Sequence, residues 1–165
     1  LATAAEQARL SAEVTHAHEE GIAGAVAIAC ATAYAWQFRE KNQRPDRRTF
    51  CDAALEYVPN SEVKSGIRRA RDLNVSTTVE HAAAMLGNGY QITAQDTVPF
   101  VVWCAGEYLD DFESALWNTA SALGDRDTTC AMVGGIMATY TGTERIPAEW
   151  IAHREPLPRW AFEDE

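Results

Sequence analysis

Asp125, Asp127 and Thr128 place two carboxylates and a hydroxyl where a polar loop turns into a helix of small side chains. Hard divalent cations such as Mg²⁺, Mn²⁺ and Ca²⁺ take oxygen ligands, and alternate residues of an extended turn can converge on one side of the chain. The same residues also have an ordinary use, Asp127 as a helix N-cap and Asp125 as a surface turn residue, and both readings stay open at this level. A second candidate is the loop Gly87, Asn88, Gly89, Tyr90, whose glycines can present backbone N–H groups to an anion. Its plain alternative is a helix C-cap followed by a turn. His16 and His18, with Glu19 and Glu20, do not have the spacing of a closed zinc site and have no cysteine nearby. Acidic residues at a helix start are accounted for by the helix dipole. His16 by itself suits a capping or core role as well as a ligand role.

Helices must position these groups. From Glu19 to about Phe38, Ile22, Val26, Ala29, Cys30, Ala33 and Trp36 recur at helical spacing, with Gly21, Gly24 and Ala25 permitting a close neighbour, so this is read as a buried central helix. Pro45 lies in a charged loop, after which Thr49 can cap a short helix carrying Phe50, Ala54 and Leu55. Pro59 ends that element and Ser61 starts another, with Val63, Ile67, Ala70 and Leu73 inward. The row Lys64, Arg68, Arg69 and Arg71 reads as a solvated face rather than a ligand patch.

Thr77 and Glu80 have capping-box spacing for a helix ending near Leu86 and Gly87. A further helix is expected from about Val98 to Leu109 with Pro99 in its first turn, and Asp110 or Asp111 then caps the next. The helix from Thr128 to about Tyr140 holds Gly134 and Gly135, for which tight packing against another backbone is the expected reason. Strand patterns are confined to Tyr90–Thr93 and Pro99–Trp103. The fold class is all-α.

The chain's 165 residues, 47% of them apolar, suffice for one sizeable core, and no Pro-rich or Ser/Gly-rich linker divides them. A formal charge of −10 opposes phosphate backbones and anionic membranes, so neither nucleic acid nor membrane is an expected partner. The most apolar stretch, Gly21 to Trp36, is Ala-rich and shorter than a membrane span. Cys30, Cys51, Cys104 and Cys130 are far apart and form no metal-binding or redox pair, which is the usage of buried, reduced thiols in a cytoplasmic protein. The sequence opens at Leu1 within a polar helical pattern and is expected to be a trimmed piece of a longer chain.

The run from Ala122 to Gly142, ALGDRDTTCAMVGGIMATYTG, resembles the C-terminal signature of the ADP-ribosylglycohydrolases, in which a Gly-Asp-x-Asp-Thr turn opens a small-residue helix. The resemblance extends in order through Ser11 to Ala29, like the family's Thr-His turn, and Gly87 to Phe100, GNGYQITAQDTVPF, like its Gly-x-Gly loop. It continues into the closing segment Ile146 to Trp150. It implies a compact domain of orthogonally packed helices around a pair of Mg²⁺ or Mn²⁺ ions that hydrolyses the bond joining ADP-ribose to an acceptor. Asp125, Asp127 and Thr128 would be metal ligands, the two aspartates serving catalysis. His16 would lie near the ligand's phosphates or ribose, and Gly87, Asn88, Gly89 and Tyr90 would line its cleft, Tyr90 by stacking.

The chain departs from the family pattern in two ways. No Thr-Asp-Asp segment occurs, since Asp110 and Asp111 lack the preceding Thr. The general base and other ligands are therefore expected from an N-terminal half of the same fold, with residues 1–165 as the C-terminal part, inactive alone. Arg126 and Leu123 also replace a small polar residue and a glycine of the signature turn. A non-catalytic homologue that binds ADP-ribose or another nucleotide is the alternative reading.

Overall fold

A computed structural model describes residues 1–156; residues 157–165 of the expected unit lie outside the described residues. Nine α-helices are formed among the described residues, with no strand. They are α1 (Ala2–Glu13), α2 (Glu19–Glu40), α3 (Arg47–Leu55), α4 (Glu62–Asp72), α5 (Val79–Leu86), α6 (Ala94–Glu107), α7 (Phe112–Ser121), α8 (Arg126–Thr141) and α9 (Ala148–His153), with a 3₁₀ turn at Thr143–Arg145. The all-α expectation holds. The two short apolar runs that carried the only strand patterns fall in the loop before α6 and in α6 itself.

Helix α2 is the hub. Its Ala-rich sequence gives it no single apolar face, and it packs against α1, α3, α4, α6 and α8, burying Ala23, Val26, Ala27, Cys30, Ala31 and Ala35. At 22 residues it is long and apolar enough to cross a bilayer by length and composition alone, which corrects the shorter stretch expected from sequence. Its small side chains serve close helix packing on several sides. At Gly24 an added Cβ would come within 2.9 Å of the Ala94 Cβ. Trp36, counted with the inward series, is instead half exposed on the outer surface.

Helix α6 is the second core element, buried continuously from Thr97 to Gly106. It begins at Ala94, a turn earlier than Pro99 suggested, so Pro99 lies inside the helix. The missing N–H forfeits only a bond to the first-turn Gln95 carbonyl, and the ring packs onto Gly66 of α4, where a Cβ would lie 2.4 Å from the Pro99 Cγ.

Helix starts follow the expected chemistry with shifts of a few residues. Asp46, not Thr49, caps α3, its carboxylate accepting the Thr49 N–H at 2.8 Å. Thr78, not Thr77, caps α5, while Ser61 and Asp111 cap α4 and α7 as expected. Helix α4 is capped a second time across the fold: the Glu20 carboxylate of α2 accepts the N–H groups of Glu62 (2.7 Å) and Val63 (2.9 Å). Arg68 and Arg69 are exposed, as a solvated face requires.

All four cysteines are free and helical; Cys30, Cys51 and Cys104 are buried and Cys130 is partly so. Burial pushes the Cys51 and Cys104 thiols up to about 12, so both stay protonated.

Candidate active site

Asp125 is the N-cap of α8, its Oδ1 accepting the Thr128 N–H at 3.2 Å. The capping role that sequence reading gave to Asp127 thus belongs to Asp125, and Asp127 occupies the first turn. The Thr128 hydroxyl, then the Thr128 N–H, hold the Asp125 carboxyl below the usual range against a small opposing desolvation. Asp127 follows in the first turn of the same helix. Two acidic side chains and a hydroxyl therefore gather at one end of a 16-residue helix whose dipole favours negative charge there.

This turn is seated by the loop after α5. Asn88 accepts the Asp125 N–H on its backbone oxygen at 3.1 Å, and its side-chain amide donates to the Ala122 carbonyl at 2.9 Å. Gly124 has φ +67°, and a Cβ there would sit 2.3 Å from the Asn88 oxygen; a Cβ on Gly89 would sit 2.7 Å from the Asp125 Cβ. Two glycines from separate segments thus permit the approach of two backbones.

The loop's own N–H groups are largely engaged. Gly87 donates to the Ala83 carbonyl (2.9 Å), Gly89 to the Asp96 carbonyl (3.0 Å) and Tyr90 to the Asn88 side-chain oxygen (3.3 Å). The loop serves as a scaffold for the Asp125 turn. Gly134 and Gly135 do not make the tight backbone packing expected of them: a Cβ on Gly134 would make only ordinary contact with Leu116 at 3.9 Å, and one on Gly135 would meet nothing within 4 Å.

Asp125 and Thr128 open into a cavity of about 820 Å³ between α1, α2, α6 and α8, whose wall also includes His16, Ile28, Ile92 and Met132. The structure thus brings His16, Asp125 and Thr128 together. Asp127, Gly87, Asn88, Gly89 and Tyr90 lie outside the cavity wall, and Tyr90 is 82% exposed. The His16 ring packs over Gly21, with its Nδ1 paired to the Thr15 hydroxyl at 2.8 Å. His18 and Glu20 reach the same wall but cap α2 and α4, His18 Nδ1 accepting the Glu20 N–H at 3.2 Å.

Sequence reasoning did not single out Ile92, Thr93 or Met132 as wall residues. Met132 follows Thr128 by one helical turn, a signal available from spacing. Ile92 and Thr93 are placed by a loop conformation that no periodicity reveals.

As a metal centre the donor set is of the right kind and small. Carboxylate and hydroxyl oxygens suit Mg²⁺ or Mn²⁺, and an Asp125 carboxyl held ionised suits a cation. Among the described residues no three Asp, Glu, His or Cys side chains converge.

Residues 1–163 match the ADP-ribosylglycohydrolase family. Among curated relatives, the ADP-ribosylhydrolase ARH3 of Bos taurus and that of Homo sapiens are each 27% identical to this chain over 87% of it and 46% of their own length. An uncharacterized protein of Archaeoglobus fulgidus is 31% identical over 87% of this chain and 44% of its own. The chain spans about half the length of the curated relatives it matches. A family match over nearly every residue, on a helical fold that seats the Asp125 turn against the Asn88 loop, makes the chain a member of the ADP-ribosylglycohydrolase family.

Proposed function

We propose that this chain forms part of a metal-dependent hydrolase that removes ADP-ribose from a modified acceptor, a protein side chain or a small molecule, and that it supplies the nucleotide cleft and one flank of a Mg²⁺ or Mn²⁺ pair. The observation that carries the reading is the Asp125 turn: among the described residues neither Asp125 nor Asp127 has a cationic partner, yet both carboxylates lie at a helix start that borders a cavity. A ligand-sized cavity beside acidic groups that the protein leaves unneutralised is the arrangement a cation completes.

In this reading Asp125 keeps Oδ1 on the Thr128 N–H and offers Oδ2, and Asp127 and the Thr128 hydroxyl add the neighbouring oxygens. When bound, the ions would supply electrostatic stabilisation and a template for ribose hydroxyls and water. His16, fixed at Nδ1 by Thr15, directs its other ring nitrogen to the ligand's phosphates or ribose. The small donor set leads to one further expectation, that turnover needs acidic residues and a general base from the N-terminal half of the fold. It also favours a second reading, a homologue that binds ADP-ribose without cleaving it.

Calorimetric titration with ADP-ribose and Mg²⁺ tests the proposal. The protein should give metal-dependent heat that is lost in Asp127→Ala and in Asp125→Asn, the latter keeping a capping side chain so that the helix start survives. Unchanged heat in both variants, or heat indifferent to metal, would overturn it. This chain alone should release no ADP-ribose from a modified peptide; release restored by the intact family domain distinguishes the hydrolase from the non-catalytic binder.

A further inference from the structure

The cavity that Asp125 and Thr128 share is one end of a longer trough. Its other end is a groove of about 570 Å³ lined by Leu1 and Ala4 of α1, Thr32, Ala33 and Trp36 of α2, and Thr139 of α8. Ala29 borders both ends, and the α2 wall runs from Gly21 in the cavity to Gln37 in the groove, a rise of about 24 Å at the α-helical pitch. On α8, Thr128, Met132, Gly135 and Thr139 recur at helical spacing, so one face of that helix accompanies the trough along its length.

The groove end is uncharged, shallow and built for close approach. No charged side chain lines it, in a protein of formal charge −10. Its walls are small side chains, and a Cβ on Gly135 would meet nothing within 4 Å among the described residues. Trp36 stands 51% exposed at its rim, a large aromatic surface that this chain's own described helices leave uncovered. A trough of small residues more than four helical turns long is the shape that seats another helix. We propose that the groove between α1, α2 and α8 seats one amphipathic helix of the N-terminal half of the family fold, Trp36 packing on its apolar face and Gly135 admitting its backbone. The chain spans about half the length of the curated relatives it matches, which leaves a comparable length of the family fold to cover this face. The groove also runs into the cavity where the Asp125 turn holds only part of a donor set, so a helix seated at one end carries its half of the fold toward the other. The inference deepens the function proposed above and rests on it for the role of the N-terminal half.

Sedimentation velocity tests this, with the protein mixed with a separately expressed portion of the Archaeoglobus fulgidus relative, the part outside the 44% that this chain matches. The two should form a one-to-one complex. Trp36→Ala should weaken it about tenfold or more, the scale of losing a buried aromatic anchor. Gly135→Leu should weaken it about tenfold or more as well, because the new side chain fills the space that the partner's backbone takes. In thermal unfolding of this chain alone, Gly135→Leu should leave Tm unchanged or raised, since the position is open and leucine favours a helix over glycine, so lost binding is not lost folding. Arg68→Ala, on the outer face of α4, should change neither reading. No complex, a complex indifferent to both groove variants, or a lowered Tm in Gly135→Leu would each overturn the assignment. A homodimer of this chain that Gly135→Leu disperses would give the groove to a second copy and overturn it too. Metal-dependent ADP-ribose heat, read on the same protein, separates the two readings: heat without a complex removes the groove assignment alone, and a complex without heat removes the proposed function alone.

Discussion

Two clefts of similar size carry charged side chains, and they treat them in opposite ways. The first, about 710 Å³, lies among the starts of α3 and the ends of α4 and α6, and four arginines line it. Each is answered by the protein itself: Arg44 by Asp110 (2.7 Å), Arg47 by Glu107 (2.7 Å), Arg48 by Asp72 (3.6 Å), and Arg71 by Asp52 (3.0 Å) and Asp72 (2.9 Å). The second holds Asp125 and Thr128, with Asp127 beside it; there the Asp125 carboxylate meets the Thr128 N–H, and neither aspartate has a cationic partner among the described residues. Arginines are more numerous and more conspicuous, yet they form a closed ledger of ion pairs that ties loops to helices. The charge left open is the better pointer to a ligand.

The sharpest way to break this contrast is to remove Arg47. Its side chain is only 8% exposed, bridges Glu107 and the Leu73 carbonyl, and places its guanidinium 5.9 Å from the Trp103 ring centroid. Arg47→Ala leaves a half-buried carboxylate and a carbonyl without their donor, which should destabilise the fold by about 3 kcal/mol and lower Tm by about 6–12 °C. Asp127→Ala should change stability by less than about 1 kcal/mol, the scale of a first-turn dipole interaction. Equal losses in the two variants, read by thermal unfolding, would mean that the Asp125 turn is as structural as the arginine cleft.

Two glycines sharpen the same distinction on a smaller scale. Gly66 lies where α4 meets Pro99 of α6, with no room for a Cβ, whereas Gly135 lies on α8, the helix that Asp125 caps, with open space in front of it. Gly66→Ala should cost about 2 kcal/mol through overpacking. Gly135→Ala should stabilise by about 1 kcal/mol through helix propensity. Urea unfolding midpoints compare the two directly, and a destabilising Gly135→Ala would show that its site in the described fold is not open.

What was legible from sequence is what local chemistry determines. The 3.6-residue period identified α2, and side-chain oxygens ahead of apolar runs marked the starts of α4 and α7. The Asp125 turn was visible because aspartates at a helix entrance favour both a cap and a cation. What escaped depends on contacts between distant segments. The Asn88 amide reaches the Ala122 carbonyl across 34 positions, Glu20 caps α4 across 42, and the loop that strains Ile92 is pinned by Asp96 at the start of α6. Pro99 misled because proline favours the first helical turn, while here the space left by Gly66 makes an interior proline tolerable.

The smallest effect expected is also the one that isolates Asp125. Its carboxyl titrates below the ordinary value of 3.8 because the ionised form accepts hydrogen bonds from Thr128, first through the hydroxyl and then through the backbone N–H. A pKa lower in the folded than in the unfolded state makes the unfolded state bind more protons, so this group adds stability above about pH 4 and loses it as pH falls through the depressed value. Asp125→Asn removes the titration and keeps a side chain that can cap α8 at any pH. The difference in Tm between the unaltered protein and Asp125→Asn should therefore shift against the unaltered protein on acidification from about pH 6 to about pH 2. A difference that stays constant over that range would mean that the carboxylate is not what holds the turn, and Asp125 would lose its claim to be fixed in place for a cation.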